Sequence, residues 1–330
     1  TKDVNALVTF VDPTTGALRV ATGSRDKTVR VWDAETGGAL LVIEVKDHPC
    51  NSSDSSDSDS SDSGSDVAAL AFFKDPATGA PRLACASGEK ALVFDPVAGG
   101  EALLVIDVGS EVREVAFFTD PATGAPRLAC GSDEKVRVFD PVACGEALLV
   151  IDVGAYALAV FTDPATGALR LACGCYGVRI FDPVAGGEAL VVTDVGSTYA
   201  LVVFAEPATG APRLICGTGE WVSGRKTGRV RIYDPVAGGE ALLVLEVGSA
   251  VGALTVFTDQ ATGGLRLASG SDDESVRVWD LAAGGAALFV LEGHTNRIYA
   301  LTAFADPATG ETRLASLSRD KTVRVWDASK

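Results

Sequence analysis

The sequence has no methionine, two histidines, four tryptophans and only 7% aromatic residues among its 330 positions. With His48 and His294 as the whole supply of imidazole, the Ser–His and Cys–His pairs that activate a nucleophile have almost nothing to draw on. Basic side chains are also scarce. Against 44 acidic residues stand 28 Lys and Arg, a formal charge of −16 that repels nucleic acid and anionic membrane surfaces. No apolar run approaches the roughly 18 residues of a membrane-spanning helix. No stretch repeats its apolar residues at the helical spacing either, so no dinucleotide or P-loop glycine motif has a helix to open. The only close cysteine pair, Cys173-Gly174-Cys175, lacks the second pair that a metal site needs. No cofactor and no metal are therefore expected. What is present is a globular composition, 47% hydrophobic and 22% charged, in a length that one large unit can hold.

Self-comparison organises nearly all of it. The segment TDPATGAPRLACGSDEKVRVFDPVA, beginning at Thr119, recurs six more times with substitutions. Each copy closes on an aromatic–Asp pair: Trp32-Asp33, Phe94-Asp95, Phe139-Asp140, Phe181-Asp182, Tyr233-Asp234, Trp279-Asp280 and Trp326-Asp327. A second marker keeps the same register, with Phe10, Phe73, Phe118, Phe161, Phe204, Phe257 and Phe304 each ahead of the next loop. Within a copy, four short runs rich in Val, Leu, Phe and Ala alternate with clusters of Pro, Gly, Asp and Thr, which is the pattern of strands and turns. In the third copy the strands are expected at 115–119, 127–131, 136–139 and 147–152. Four strands per copy, seven times over, predict an all-β, seven-bladed β-propeller occupying 1–330 as one domain.

These residues resemble the WD-repeat family along the whole chain. LASGSDDESVRVWD at Leu267–Asp280 and Gly293-His294 carry the likeness most closely. The resemblance implies a structural tetrad in blade seven of His294, Ser316, Asp320 and Trp326. Blades one and six keep Thr22, Asp26, Trp32 and Ser269, Asp273, Trp279 without the His. Blades two to five depart together: Trp becomes Phe94, Phe139, Phe181 or Tyr233 only where Ser or Thr has become Cys85, Cys130, Cys173 or Cys216. An indole N–H and a hydroxyl are hydrogen-bonding partners, and losing one alone leaves the other unsatisfied at about 1–3 kcal/mol, whereas losing both can be nearly neutral. The two slots are therefore expected to touch. The repeated arginines, Arg19, Arg82, Arg127, Arg170, Arg213, Arg266 and Arg313, are read as partners of nearby acids, not as a binding ladder.

Two features break the regularity of the ring. After Asp327 only three residues follow, and Thr1 aligns with Thr295, so the seventh blade is expected to lack its outer strand, which leaves an open edge. Excision from a longer array with flanking repeats is the favoured explanation. Insertions supply the rest. The first, about 46–66, contains NSSDSSDSDSSDSGSD, with nothing apolar to bury, and is expected to be a solvated, disordered loop. Within it Ser56 and Ser63 each precede Asp by three residues, the pattern of an acidophilic phosphorylation site. The second, GEWVSGRKTG at about 219–228, lengthens the turn before blade five's third strand. Trp221 is the one Trp outside the repeated slot, and Arg225 and Lys226 accompany it.

A contact surface is expected where these irregularities meet. Tyr156, Tyr199 and Tyr299 occupy one repeat position just before the first strand, where blade three has Arg113, and Tyr176 lies in blade four's equivalent of the inserted turn. Arg113, Tyr156, Tyr176, Tyr199, Trp221, Arg225 and Lys226 should thus cluster over blades three to five, rich in the residue types of interface hot spots. The competing expectation is that the tyrosines plug the channel and Trp221 folds onto its own loop. The resemblance implies a non-catalytic protein–protein interaction scaffold taking a protein or peptide partner. A purely structural module that contacts neighbours through blade seven, and a propeller enzyme, are the alternatives. The enzyme reading needs ionisable groups on the axis, and the first-strand runs 157–161, 200–204 and 253–257 supply none. Seven cysteines, an odd number, four of them on different blades, suit a reducing cytoplasmic or nuclear setting.

Overall fold

The computed structural model describes residues 3–46, 66–143, 145–222, 224–306 and 309–328. The acidic tract with Ser56 and Ser63, and His48, lie outside the described residues. Seven antiparallel sheets follow one another in sequence, and six of them have four strands in simple up-and-down order. Blade three, for example, comprises Val112–Thr119, Pro126–Ser132, Val136–Phe139 and Leu149–Ile151. Blade seven has three strands, Ile298–Ala305, Thr312–Ser318 and Val323–Asp327. The expected open edge is there: the last strand exposes Val323 and Val325. First strands touch in unbroken order from blade to blade, and blade seven's touches blade one's, which closes the ring around an axis.

The core lies between blades. The second strands are buried over consecutive positions, on both faces of each sheet, and six apolar clusters each straddle two consecutive blades. Phe10 stacks on Phe72 and Phe73 on Phe117, with ring centroids 4.8 and 4.4 Å apart, stapling blade one to two and two to three. Inside the blades, the aromatic and small slots meet as the substitution pattern requires. Trp32 Nε1 donates to Thr22 Oγ1 at 2.9 Å, Trp279 Nε1 to Ser269 Oγ at 2.9 Å, and Trp326 Nε1 to Ser316 Oγ at 2.7 Å. In the other four blades Cys85 and Phe94, Cys130 and Phe139, Cys173 and Phe181, and Cys216 and Tyr233 share their clusters.

His294 completes a network in blade seven. Its Nδ1 lies 2.7 Å from Asp320 Oδ2 and its Nε2 2.7 Å from Ser316 Oγ. Desolvation raises the Asp320 carboxyl, but hydrogen bonds from Thr322, His294 and the Thr295 N–H outweigh it and hold the group at about 2. In blades one and six an arginine from the third strand takes the place of the imidazole: Arg30 reaches Asp26 at 2.9 Å and Arg277 reaches Asp273 at 2.8 Å.

The two faces of the ring are built differently. On one, each repeated arginine lies between the loop carboxylate and the closing Asp of its own blade, as Arg213 does with Glu206 at 2.7 Å and Asp234 at 3.4 Å. The closing aspartates also accept backbone N–H groups of their turns, Asp95 from Val97 and Ala98 at 2.8 and 2.9 Å. This face is the same device seven times. On the other face, the entry to each first strand is tied by backbone hydrogen bonds to the turn between second and third strands, for instance Val112 N to Gly88 O and Thr198 N to Cys175 O. The insertion in blade five belongs to a loop of this second face.

Candidate channel-mouth surface

The first strands begin earlier than the apolar runs indicate. Blade three's starts at Val112, three residues before the expected boundary, because a polar pair, Arg113-Glu114, continues the pairing through a bulge. The same register shift occurs between Val4 and Ala6, Val67 and Ala69, Thr198 and Ala200, Val251 and Ala253, and Ile298 and Ala300. A bulge leaves one residue unpaired and re-aims its side chain. The residues so placed, Asn5, Ala68, Arg113, Tyr199, Gly252 and Tyr299, together with Tyr156 from blade four, line one cavity of about 430 Å³ at the mouth of the channel. Six bulges and one strand entry therefore build a ring of five residue types, three of its seven positions tyrosine, from seven like blades.

Of the expected contact residues, Arg113, Tyr156 and Tyr199 share this cavity. Tyr156 stacks on Tyr199 with centroids 6.3 Å apart, and meets Tyr176 edge-on at 6.3 Å. A hydrogen bond with Tyr176 and then desolvation push the Tyr156 hydroxyl upward. Tyr176 itself stands well out of the surface. Arg113 is held in place by Asp133 at 2.9 Å and Glu111 at 2.8 Å, and the Asp133 carboxyl is lowered by that bond. The tyrosines thus flank the opening, and Tyr199 remains 37% exposed.

The inserted turn is a hairpin of Glu220–Val222 paired with Arg225–Thr227, with Trp221 opposite Lys226. Trp221 is 75% exposed, so it does not fold onto its own loop. The side chains of Arg225 and Lys226 lie outside the described residues. Glycines set the hairpin's base. A Cβ on Gly228 would lie 2.1 Å from Ser249 O and 2.6 Å from Thr218 O, and one on Gly219 would lie 3.0 Å from Tyr199 Cε2. Close backbone approach at these two positions places the hairpin beside Tyr199, at the edge of the mouth, although Trp221 does not line the cavity.

Sequence reasoning missed three groups. Arg297 lines the same cavity and lies over the Tyr299 ring, 5.4 Å from its centroid. Asn5 takes part from blade one. Glu114 is the third: the three first-strand runs read as free of ionisable groups are so, but the first strand of blade three brings a carboxylate to the cavity. Its signal was available. Six copies have Ala6, Ala69, Ala157, Ala200, Ala253 and Ala300 at the position where blade three has Glu114. Among the described residues no group of three or more His, Cys, Asp or Glu is arranged to hold a metal ion. Nor, among them, is any helix long and apolar enough to cross a membrane.

Comparison with known proteins agrees with the repeat. The family model described as WD domain, G-beta repeat, matches residues 1–33, 248–280 and 285–327. Those segments end or fall in blades one, six and seven, the three that retain the Trp–hydroxyl pair. No curated protein sequence matches. Among solved structures, the computationally designed Ika8 protein is similar with a TM-score of 0.61 and 19% identity, covering 99% of this chain and 96% of that chain. The likeness to that structure is one of fold. The chain resembles the WD-repeat family in both sequence and architecture.

Proposed function

We propose that the chain is a non-catalytic docking platform whose channel mouth and neighbouring hairpin hold a protein or peptide partner. WD-repeat propellers generally mediate protein–protein interaction, and a rigid ring presenting unlike side chains suits that role. The observation that carries the reading is the exposure of Trp221 beside the Tyr156–Tyr176–Tyr199 cluster, a concentration of interface-type side chains over blades three to five. Arg113, fixed by its carboxylates, adds a preorganised donor, and Arg225 and Lys226 add positive charge to an otherwise acidic molecule. Phosphorylation at Ser56 and Ser63 would add negative charge and tune the docking of a basic partner. The five described cysteines are free and buried, which suits the reducing interior of a cell, cytoplasm or nucleus.

A second reading has its own observation. The third strand of blade seven exposes Val323 and Val325 on an unpaired edge, which suits a structural module joined to flanking repeats by strand addition. The two readings separate experimentally. Trp221→Ala with Tyr199→Ala should reduce capture of partners from native lysate by at least tenfold, while melting temperature stays within about 2 °C, since both side chains are surface groups. Undiminished capture by a folded double variant would refute docking at the mouth.

A further inference from the structure

Glu114 occupies a slot that the scaffold fills with alanine. In the six other blades the equivalent Ala sits at the cavity end of the first strand, buried in five of them, so nothing in the propeller's construction asks for a carboxylate. The carboxylate also has little to satisfy it. Its hydrogen bond is with the adjacent Val115 N–H, 3.0 Å from Oε1, and it forms no ion pair among the described residues. The neighbouring Arg113 guanidinium is turned to Asp133 and Glu111. A charged group at the wall of a cavity without a partner is costly unless something from outside supplies the countercharge.

Resting on the docking role above, we propose that the channel mouth beside blade three seats a protonated primary amine, the side chain of a lysine on the partner, against Glu114 with Tyr156 and Tyr199 alongside. Three observations select this chemistry. Aromatic faces attract cations, and two stacked tyrosines line the same cavity as the carboxylate. One carboxylate oxygen already accepts the Val115 N–H, so a point-charge ammonium fits the other better than the two-pronged guanidinium, which prefers both oxygens free. The chain's −16 charge draws basic partners toward it. Arg297, on blade seven across the ring from blade three, lies over Tyr299 and leaves the blade-three side to the incoming cation.

The titration of Glu114 supports the same assignment. Desolvation pushes its carboxyl up to about 7. The groups that share the cavity with it are Arg113, Arg297, Asp272, Tyr156, Tyr199 and Tyr299. An ammonium binds the ionised form, so the amine is held more tightly above neutrality and released as pH falls and Glu114 takes up its proton. Binding near pH 7 therefore expels a proton from Glu114.

The test uses n-butylammonium chloride as the probe and the Glu114 carboxyl carbon, observed by NMR in the full chain, as the readout. Glu114→Ala assigns the signal, and it installs the residue that six blades already carry, so the variant folds. At a probe concentration about nine times its Kd, the Glu114 midpoint should fall by about one pH unit, a tenfold stabilisation of the ionised form. Sodium chloride at equal ionic strength should leave the midpoint in place. A midpoint that moves equally in sodium chloride, or not at all with n-butylammonium, overturns the proposal, as does a larger fall with methylguanidinium. No partner protein enters this measurement, so its failure is separate from failure of the docking role, which is read by the Trp221 and Tyr199 variants.

Discussion

The substitution pattern of the tryptophans makes a quantitative claim that blade six can test. Trp279 is 3% exposed and Ser269 fully buried, and the indole N–H donates to the hydroxyl at 2.9 Å. Trp279→Phe removes the donor and leaves a buried hydroxyl wanting a partner. Ser269→Cys removes the acceptor and leaves the indole N–H against sulfur, a weak acceptor. Each single change should therefore cost about 1–3 kcal/mol for the stranded group, with the Phe variant paying in addition for lost indole packing. The double variant recreates the Cys–Phe pair of blades two to four and strands neither group. Its packing loss is common to the Trp279→Phe single and cancels in the cycle. The coupling is the sum of the two stranded costs and should favour the double variant by about 2–6 kcal/mol. Urea unfolding followed by far-UV circular dichroism, with the four proteins sharing one m-value, measures it. A coupling within about 0.5 kcal/mol of zero, or a double variant less stable than Trp279→Phe, would refute the idea that these slots are exchanged as a hydrogen-bonded unit.

Two further outcomes follow from other parts of the ring. Asp320 is held at about 2, below the ordinary aspartate value of 3.8, so its ionised form stabilises the fold above about pH 4, and that contribution is lost as pH falls toward 2. Asp320→Asn should cost about 2 kcal/mol at pH 7, with the gap to the parent chain closing between pH 4 and 2 in a series of denaturant melts; a gap independent of pH would show that the carboxylate's charge is not what matters. Gly228→Ala forces a methyl against two backbone carbonyls, so it should destabilise by about 1–3 kcal/mol, and the fluorescence of Trp221 should shift as the hairpin moves. Unchanged stability and an unchanged spectrum would mean that the hairpin base has room that the geometry denies.

Blade count and the aromatic–small pairing were legible because each is written several times over in the chain, and the three-stranded seventh blade because six four-stranded copies stand beside it. Seven copies of one pattern average away the ambiguity of any single short strand. The repeated arginines were legible for the same reason, since recurrence with the strand pointed to a partner that recurs too. What single copies do differently was harder to read. The strand entry at Val112–Glu114 is polar, so an apolar-run criterion excludes it, and only backbone pairing through a bulge brings it into the sheet. Glu114 belongs to that polar entry, so no apolar run marks it, although an alignment of the copies isolates it against six alanines. The ties of Arg113 to Asp133 and Glu111 depend on how two loops fold together, which spacing does not encode.

The contrast between the faces gives the repeat a functional meaning. Where the arginine lies between two carboxylates, all seven blades solve one mechanical problem in one way, and a partner gripping that face would find seven nearly equivalent registers. The mouth offers no such degeneracy. Its bulged position carries Asn5, Ala68, Arg113, Tyr199, Gly252 and Tyr299, with Tyr156 at the unbulged strand entry of blade four, and the next position is alanine except at Glu114. A ligand entering there meets an acid on blade three, aromatic rings on blades four, five and seven, and small side chains on blades two and six, so only one rotational setting about the axis is favourable. Specificity is a difference between competing settings, and a near-symmetric ring acquires it only where its copies differ. The bulge is what makes that economical: it exposes a side chain without altering the buried alternation that holds the blades together. Substitution at the bulged position can therefore redirect recognition while leaving stability nearly untouched.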